Sequence, residues 1–308
     1  MKIVYMGTPE FATGVLKKLL RSGRHEVVAV VTQPDKPVGR KGILTPPPVK
    51  VVAEEGGIPV YQFARIGDGT EELRSLSADI MITCAYGQIL PESVIHLCPK
   101  GIVNVHASLL PAYRGAAPIQ YAVINGEKKT GISFMQTDAG LDTGDVIAEY
   151  PLEIRDGETA GELADRLSSL GAEKIEEVLD SIENGTAVRT RQDERFSFVV
   201  KTIKKEDAIV DFKKDSETVR HLILGMNPKP VAYCFLRGKI LKLYYARPAE
   251  GEGDPGEVLS ARNQLVVACG SGAVEITELQ EEGGKRMSAK DYLAGRKISV
   301  GDRLTSKP

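Results

Sequence analysis

The run Glu26-Val27-Val28-Ala29-Val30-Val31-Thr32 is apolar and β-branched along almost its whole length. Such a run is typical of a strand that is buried on both faces of a parallel sheet. It follows a shorter apolar run, Lys2–Met6, and a segment with helical spacing, Glu10–Leu20. A strand, a helix and a second strand in this order predict a βαβ unit at the start of the chain.

The same alternation continues through residue 186 and predicts a Rossmann-like α/β domain with a mostly parallel sheet over residues 1–186. Further strands are expected at Ile58–Tyr61, Ala78–Ala85, Gly101–Val105, Gly131–Gln136 and Val146–Ile154, and further helices at Val49–Gly56, Glu71–Leu76 and Thr159–Asn184.

The pattern changes after residue 186. Residues 187–206 are polar and are interpreted as a linker, and residues 207–308 contain short strand-like runs broken by turns. Several short strands at this spacing predict a small OB-like β-barrel domain. The expected elements are a helix at Ser216–Leu224 and strands at Ala208–Phe212, Val231–Leu236, Lys239–Ala246, Gly256–Leu259, Gln264–Ala268 and Val274–Glu278.

The composition is that of a globular protein. Of 308 residues, 42% are hydrophobic and 27% are charged, and no run approaches the roughly 20 apolar residues that span a bilayer. The chain starts directly with a strand-like run and shows no leader pattern, so a cytoplasmic protein without a membrane partner is expected. The four cysteines are scattered without a C-x-x-C pair, which favours reduced thiols over a disulfide or zinc framework.

Charge is unevenly distributed along the chain. Residues 1–180 hold 18 of the 40 Lys and Arg and 24 of the 42 Asp and Glu, so their formal net charge is −6. The remaining 22 basic and 18 acidic residues give residues 181–308 a formal net charge of +4. A basic C-terminal part indicates a polyanionic partner, although the difference is modest.

The densest group of chemically useful side chains lies in Gly101–Pro111. Alternation along a strand places Asn104 and His106 on the same face, at the end of a parallel strand where ligands bind in open sheets. An amide that donates to a developing oxyanion and an imidazole that moves a proton are suited to acyl chemistry. The alternative is a hydrogen-bonded histidine at a strand end.

A second group lies in Asp138-Ala139-Gly140-Leu141-Asp142-Thr143-Gly144-Asp145. Three carboxylates and two glycines in eight residues predict a tight loop, and an Asp near His106 would favour the imidazolium. A plain solvated turn is the alternative. The Asp-Thr-Gly of an aspartic protease is opposed by the βαβ pattern upstream.

Two loops after early strands are weaker candidates. Gly7-Thr8-Pro9 follows the first strand, but it lacks the three glycines of a dinucleotide-binding turn. The loop from Gln33 to Gly42 is rich in Pro and Gly, and its Lys36, Arg40 and Lys41 suit contact with a phosphate backbone. A solvated surface loop would have the same composition.

The motifs together resemble those of the methionyl-tRNA formyltransferase family, one of the folate-dependent formyltransferases. The resemblance covers nearly the whole chain. It is carried by Asn104–Pro111, Tyr113–Gln120 and Leu141–Asp145, with Tyr5–Phe11, Thr32–Asp35, Ala85–Pro91 and Met287–Ala289 in support.

The resemblance implies a formyl-group transferase in protein biosynthesis. Members of the family move a formyl group from 10-formyltetrahydrofolate to the α-amine of methionine on initiator tRNA. Asn104, His106 and Asp142 would then be the catalytic residues. Asn104 and protonated His106 would stabilise the oxyanion, and Asp142 would keep His106 charged and assist proton transfer. No metal and no stable protein partner are implied.

The resemblance also assigns binding residues and domains. Ser108, Leu109, Leu110 and Pro111 would border the folate, and Tyr86, Gly87, Gln88, Ile89 and Leu90 would receive its pterin ring through backbone groups. The tRNA would contact Lys36, Arg40, Lys41 and Arg114. Residues 1–186 would be the catalytic domain, and residues 207–308 would be the tRNA-binding domain.

Two departures from the family pattern bear on these expectations. Residue 107 is Ala where many relatives carry Gly, which is a change between two small residues. The basic loop holds one Arg and two Lys, which is fewer charges than some relatives have, so salt-sensitive rather than tight tRNA binding is expected.

Two other functions remain open from the sequence. A formyltransferase acting on an amino sugar nucleotide or on glycinamide ribonucleotide would share the fold and the three catalytic residues, but it would not depend on tRNA. A non-catalytic RNA- or folate-binding protein is opposed by the complete set of Asn104, His106 and Asp142.

Overall fold

The computed structural model describes residues 1–39, 42–295 and 297–308. The chain divides into two compact units. The first comprises residues 1–115, 130–152 and 164–199, and the second comprises residues 116–129, 153–163 and 200–308. Each unit is therefore assembled from separate stretches of chain. The domain boundaries expected from the sequence stay a prediction.

The first 115 residues form eight strands and four α-helices in the part of the chain that the structure describes. Their bounds are β1 (Lys2–Gly7), α1 (Glu10–Ser22), β2 (Glu26–Thr32), β3 (Lys36–Val38), β4 (Ile43–Thr45), α2 (Pro48–Glu55), β5 (Val60–Gln62), α3 (Thr70–Ser75), β6 (Ile80–Cys84), α4 (Glu92–Ile95), β7 (Ile102–His106) and β8 (Arg114–Gly115). The next elements are α5 (Pro118–Ile124), β9 (Lys129–Gln136), β10 (Val146–Glu153), α6 (Ala160–Glu183) and β11 (Val199–Val200).

Seven strands of the first unit form one sheet in the order β10-β9-β7-β6-β1-β2-β5. Strand β1 pairs in parallel with β2 and β6, β2 with β5, and β6 with β7, whereas β9 is antiparallel to β7. The expected mostly parallel sheet is confirmed. From β1 the chain proceeds outward through β2 and β5, and it then returns to β6 on the other side of β1. Such a reversal opens a crevice at the carboxyl ends of the two central strands.

The central strands are buried on both faces. Residues 80–84 of β6 are all buried, and so are residues 3–6 of β1 and 29–32 of β2. Burial on both faces explains why these strands appear in the sequence as unbroken apolar runs rather than as alternating ones. The rigid sheet fixes the positions of the loops that follow its strands.

The second unit is built on an antiparallel sheet. Its elements are α7 (Ser216–Gly225), β12 (Ala232–Leu236), β13 (Lys239–Ala249), β14 (Val258–Ala261), β15 (Leu265–Ala268), β16 (Ala273–Glu281), β17 (Met287–Ser288), α8 (Ala289–Ala294) and β18 (Leu304–Thr305). The strand order is β14-β15-β16-β13-β12-β18, with β17 beside β16.

This sheet curls so that its two edges meet. An isolated antiparallel bridge joins Glu257, just before β14, to Arg303, just before β18. The interior is filled by one cluster of buried apolar side chains that includes Leu243, Val267 and Ile276. The expected small β domain is therefore confirmed as a curled, barrel-like antiparallel sheet.

One predicted strand of this unit is wrong. The segment Ala208–Phe212 has a 3₁₀ turn at Lys205–Ala208 and only an isolated bridge from Ile209 to Tyr233. Ala208, Val210 and Phe212 are nevertheless buried in the core. The alternation of apolar residues indicates that every second side chain is buried. Such burial does not require the segment to pair with a strand on both sides.

None of the helices in the part of the chain that the structure describes combines the length and apolar content needed to cross a membrane.

Candidate active site

Strand β7 carries the first two candidate side chains. Asn104 and His106 are two residues apart and therefore lie on the same face, and His106 is the last residue of the strand. The His106 side chain is buried, whereas Asn104 is half-buried. The pair lies at the carboxyl-terminal edge of the sheet, where open α/β sheets bind ligands.

Asp142 approaches these residues from the loop between β9 and β10. Its Oδ1 lies 3.4 Å from Asn104 Nδ2, and its Oδ2 lies 3.6 Å from His106 Nδ1. The same Oδ2 accepts a hydrogen bond of 2.8 Å from the backbone N–H of Gly115. The structure thus brings an amide, an imidazole and a carboxylate together, while their catalytic roles stay a prediction.

The Asp142 loop depends on local backbone features. Asp142 itself has a φ of +53°, a left-handed conformation that persists only where surrounding contacts enforce it. A Cβ at Gly144 would overlap the carbonyl oxygen of Gln136. Glycine is therefore required there for the loop to lie against the end of β9.

The hydrogen bond of the His106 ring to the backbone fixes its tautomer. Nε2 lies 3.0 Å from the carbonyl oxygen of Tyr113. A carbonyl oxygen accepts and cannot donate, so Nε2 carries a hydrogen. In the neutral ring Nδ1, which faces Asp142, is therefore the nitrogen without a hydrogen.

The amide of Asn104 is oriented by a neighbouring strand. Thr83 on β6 lies opposite Asn104 in the parallel ladder, and its Oγ1 donates to Asn104 Oδ1 at 3.0 Å. The amide NH₂ must then point away from β6 and toward Asp142. In this orientation the NH₂ group of Asn104 is a hydrogen-bond donor in the site.

The four residues expected to border the folate leave β7 directly. Ser108 and Leu110 are buried, and the Ser108 hydroxyl donates to the carbonyl of Ala112 at 2.7 Å. Leu109 and Pro111 are half-buried. The half-buried pair is the part of this segment that is accessible to a ligand, and the folate contact stays a prediction.

The segment expected to receive the pterin ring follows β6. The carbonyl of Tyr86 accepts from Thr8 Oγ1 at 2.7 Å, which ties the loops after the two central strands together. Gln88 is half-buried, and its side chain is held by the backbone of Ile66 and Phe63.

Other parts of the same segment are open. Gly87 is exposed, Leu90 is half-buried, and Ile89 is 87% exposed. Burial raises the pKa of Tyr86 to about 12, so its hydroxyl is neutral at physiological pH. The accessible groups are therefore backbone and apolar ones.

The predicted tRNA-contacting side chains fall into different places. Lys36 is exposed on β3, in a hairpin with β4, while Arg40 and Lys41 lie outside the described residues. Arg114 is only 4% exposed, and its guanidinium donates to Gln192 and Glu194. Its contact with tRNA stays a prediction.

Three groups that contact the candidate side chains were missed in the sequence. They are the hydroxyl of Thr83, the carbonyl of Tyr113 and the side chain of Gln192. The Thr83 contact depends on strand register, and the Tyr113 contact on a backbone group. Gln192 lies in a stretch whose polarity indicated only a linker.

One cluster elsewhere has metal-ligating residue types. The His25 ring lies 3.6 Å from Asp180 and 3.9 Å from Glu183, and burial lowers the pKa of His25. Arg24 pairs with the same Asp180. This cluster shares no residue with the Asn104, His106 and Asp142 group.

Comparisons with known proteins identify the family of the chain. Residues 1–179 match the family described as formyl transferase, and residues 202–297 match the formyl transferase C-terminal domain. A methionyl-tRNA formyltransferase of Geotalea daltonii is 48% identical over 310 aligned residues, covering 100% of this chain and 99% of the relative.

Solved structures share the fold at lower identity. An N-formyltransferase from Helicobacter canadensis, in complex with folinic acid and dTDP-3-aminofucose, is 19% identical with a TM-score of 0.69, covering 93% of this chain and 100% of that one. HypX from Aquifex aeolicus, in complex with tetrahydrofolic acid, is 21% identical with a TM-score of 0.68. The match covers 98% of this chain and 48% of HypX, so this chain spans about half the length of that protein.

The chain therefore belongs to the formyl transferase family, and the resemblance to the methionyl-tRNA formyltransferases seen in the sequence is confirmed. It is an enzyme that transfers a formyl group.

Proposed function

We propose that this enzyme transfers the formyl group of 10-formyltetrahydrofolate to the α-amine of methionyl initiator tRNA. The observation that supports the chemistry most directly is the convergence of Asn104, His106 and Asp142 within 3.6 Å at the sheet edge. The 48% identity to a methionyl-tRNA formyltransferase over the full chain supports the choice of acceptor.

The three side chains have complementary tasks. When the amine attacks the formyl carbon, negative charge develops on the formyl oxygen. The NH₂ of Asn104 and the protonated Nδ1 of His106 are donors for that charge, in a site partly shielded from water. Asp142 stabilises the charged ring and accepts a proton as the attacking amine loses one. The tetrahedral intermediate then collapses: the bond between the formyl carbon and N10 of the folate breaks, and that nitrogen takes up the proton as tetrahydrofolate leaves.

The residues beyond the strand ends fit a folate. The turn at Gly87 has a φ of +90°, and a Cβ there would meet only Gln33 Cγ, at an ordinary 3.9 Å, so a flat heterocycle can approach the backbone closely. Ile89 adds exposed apolar surface beside it. The bound folate supplies the activated formyl group, and this segment of the chain holds and orients it.

The tRNA contacts are assigned to two parts of the chain. Lys36, in the exposed hairpin of β3 and β4, would contact the acceptor end. The C-terminal part of the chain would contact the tRNA through its basic residues, since residues 181–308 carry a formal charge balance of +4. Phosphate contacts make such binding sensitive to salt.

The direct experiment incubates the protein with 10-formyltetrahydrofolate and methionine-charged initiator or elongator tRNA, and it scores formylmethionine. Formylation of the initiator, with salt-dependent KM, is expected. His106→Ala is expected to bind folate normally and to lose about 10²–10³ in kcat. An exposed-histidine variant, His96→Ala, is the matched control.

Two results would contradict the proposal. Transfer to a free amino sugar nucleotide or to glycinamide ribonucleotide, with none to either tRNA, would replace the acceptor. Equal turnover by the wild type and by His106→Ala would remove His106 from the mechanism.

A further inference from the structure

The segment 190–194, which the sequence suggested is a linker, lies against the Asp142 loop. Thr190 forms an isolated antiparallel bridge with Val146, with two backbone hydrogen bonds of 2.8 Å each. Both residues belong to the first unit. The bridge fixes the chain that follows it, and Gln192 is thereby placed beside the loop.

Every hydrogen-bonding position of the Gln192 side-chain amide is used. Nε2 donates to the carbonyl of Asp142 at 2.9 Å and to that of Gly144 at 2.7 Å. Oε1 accepts from Arg114 at 3.0 Å from Nε and at 2.8 Å from Nη2. A primary amide has two donor hydrogens and two acceptor lone pairs, so this orientation is the one that satisfies all four.

Arg114 is itself held in place. Its Nη1 and Nη2 donate to the two carboxylate oxygens of Glu194 at 3.0 and 2.8 Å. Such a bidentate pair fixes the plane of the guanidinium. Glu194 is 65% exposed and Arg114 is buried, so the chain of contacts runs from the surface through Arg114 and Gln192 to the loop.

We propose that Gln192 is a positioning residue for formyl transfer, clamped by Arg114 and Glu194, and that it holds the Asp142 carboxylate in place against His106. The inference deepens the proposed function and rests on it. Gln192 binds the backbone on both sides of Thr143 and does not touch the reacting groups, so it acts entirely through Asp142.

The loop needs such a contact for two reasons. The φ of +53° at Asp142 is unfavourable for a non-glycine residue and reverts when its surroundings relax. The Asp142 carboxylate accepts a hydrogen bond from the backbone N–H of Gly115. This bond does not fix the backbone of residues 142–144, and a rotation there would move the carboxylate away from His106. A displacement of about 1 Å is enough to cost a large part of the rate.

An amide is required at this position. Gln192→Met keeps the length and removes all four hydrogen bonds. Gln192→Glu keeps the acceptors for Arg114 but replaces both donors by an oxygen that faces two carbonyl oxygens. Because the two N–H donors hold the loop, Gln192→Glu is expected to lower kcat at least as far as Gln192→Met does.

The test is a kinetic cycle with Asp142. For Gln192→Met, kcat is expected to fall about 10- to 100-fold, with the KM values for folate and Met-tRNA changed less than about threefold. In the Asp142→Asn background the same substitution is expected to change kcat less than about twofold, because the group it positions is already lost. Ser168→Ala, which removes a hydrogen bond to Phe11 in the same unit, is the control and keeps wild-type kcat.

Three outcomes would overturn the inference. The first is an unchanged kcat in Gln192→Met. The second is a kcat of the double variant with Asp142→Asn that is lowered by the full product of the two single losses. The third is a wild-type kcat in Gln192→Glu. Failure of the wild type to formylate Met-tRNA would instead refute the proposed function, so the two are distinguishable.

A milder variant covers the case in which Gln192→Met does not fold. Glu194→Gln changes an exposed residue and only loosens the clamp. It is expected to lower kcat about three- to tenfold in the wild-type background and not in Asp142→Asn, and a full multiplicative loss there would overturn the inference.

Discussion

Nε2 of His106 is hydrogen-bonded to the carbonyl oxygen of Tyr113 at 3.0 Å, so a backbone group rather than a side chain sets the orientation of the ring. That carbonyl is fixed in turn, because Tyr113 has a φ of +59° and its ring packs edge-on against Phe198 at 4.5 Å. Nδ1 is therefore the ring nitrogen that faces the Asp142 carboxylate and can contact the substrate.

The first prediction concerns this tautomer. In the neutral ring of His106 the hydrogen is expected on Nε2, and Nδ1 is expected to lack one. Two-bond ¹H–¹⁵N correlation spectra of protein labelled at histidine distinguish the two tautomers, with His106→Gln providing the assignment. A hydrogen on Nδ1 of the neutral ring would contradict the geometry.

A second prediction concerns the orientation of Asn104. Thr83→Val removes the hydroxyl that holds Asn104 Oδ1 while keeping the volume of the side chain. The amide is then free to turn, and kcat is expected to fall about three- to tenfold, in line with the roughly 1 kcal/mol of one hydrogen bond. Thr83→Ser keeps the hydroxyl and should restore the rate. Equal kcat for the Val and Ser variants would dismiss the role of Thr83.

A third prediction concerns the close approach at Gly144. The added Cβ of Gly144→Ala overlaps the Gln136 carbonyl, so the loop must move and Asp142 moves with it. A loss of about 1–3 kcal/mol in the free energy of unfolding is expected from overpacking, together with a fall in kcat. Gly67→Ala is the matched control, since its Cβ would lie at an ordinary 3.5 Å from Pro91. Comparable urea-unfolding midpoints for the two variants would argue against the tight contact.

A fourth prediction concerns acid stability. Burial lowers the pKa of His25 in the folded protein, whereas the unfolded chain binds a proton near pH 6.5. The unfolded state therefore holds more protons below that pH, and the free energy of unfolding falls as the pH drops from about 7.5 through 6.5 toward the lowered folded value.

Urea unfolding at pH 7.5 and 5.5 checks this dependence. In His25→Gln the loss of unfolding free energy between the two pH values is expected to be smaller than in the wild type. The exposed His96→Gln should keep the wild-type difference. An identical pH dependence in the wild type and His25→Gln would show that the His25 ring is not responsible.

The sequence was informative where physical patterns are local. Apolar β-branched runs such as Glu26–Thr32 predicted the parallel sheet, because strands buried on both faces need them. Alternation within β7 predicted that Asn104 and His106 lie on the same face of the strand. The approach of Asp142 to His106 was inferred from the family resemblance, since the two residues are 36 positions apart in the chain.

What the sequence missed depends on register and on single backbone groups. The Thr83 contact requires that β6 and β7 pair with Thr83 opposite Asn104, and a one-residue slip would turn the hydroxyl to the other face. The family resemblance assigned Arg114 to the tRNA contact, which stays a prediction. The sequence did not show that its guanidinium donates to Gln192 and Glu194. The polar stretch 187–206 was interpreted as a linker, and its polarity gave no sign that Gln192 is only 7% exposed.

The most direct measurement of the central claim is the single-turnover rate of Asp142→Asn at saturating folate and Met-tRNA. Asn keeps the size of the side chain and removes the charge 3.6 Å from His106 Nδ1. A rate about 10²–10³ below that of the wild type is expected, with unchanged dissociation constants for both substrates. A rate within twofold of the wild type would contradict the account.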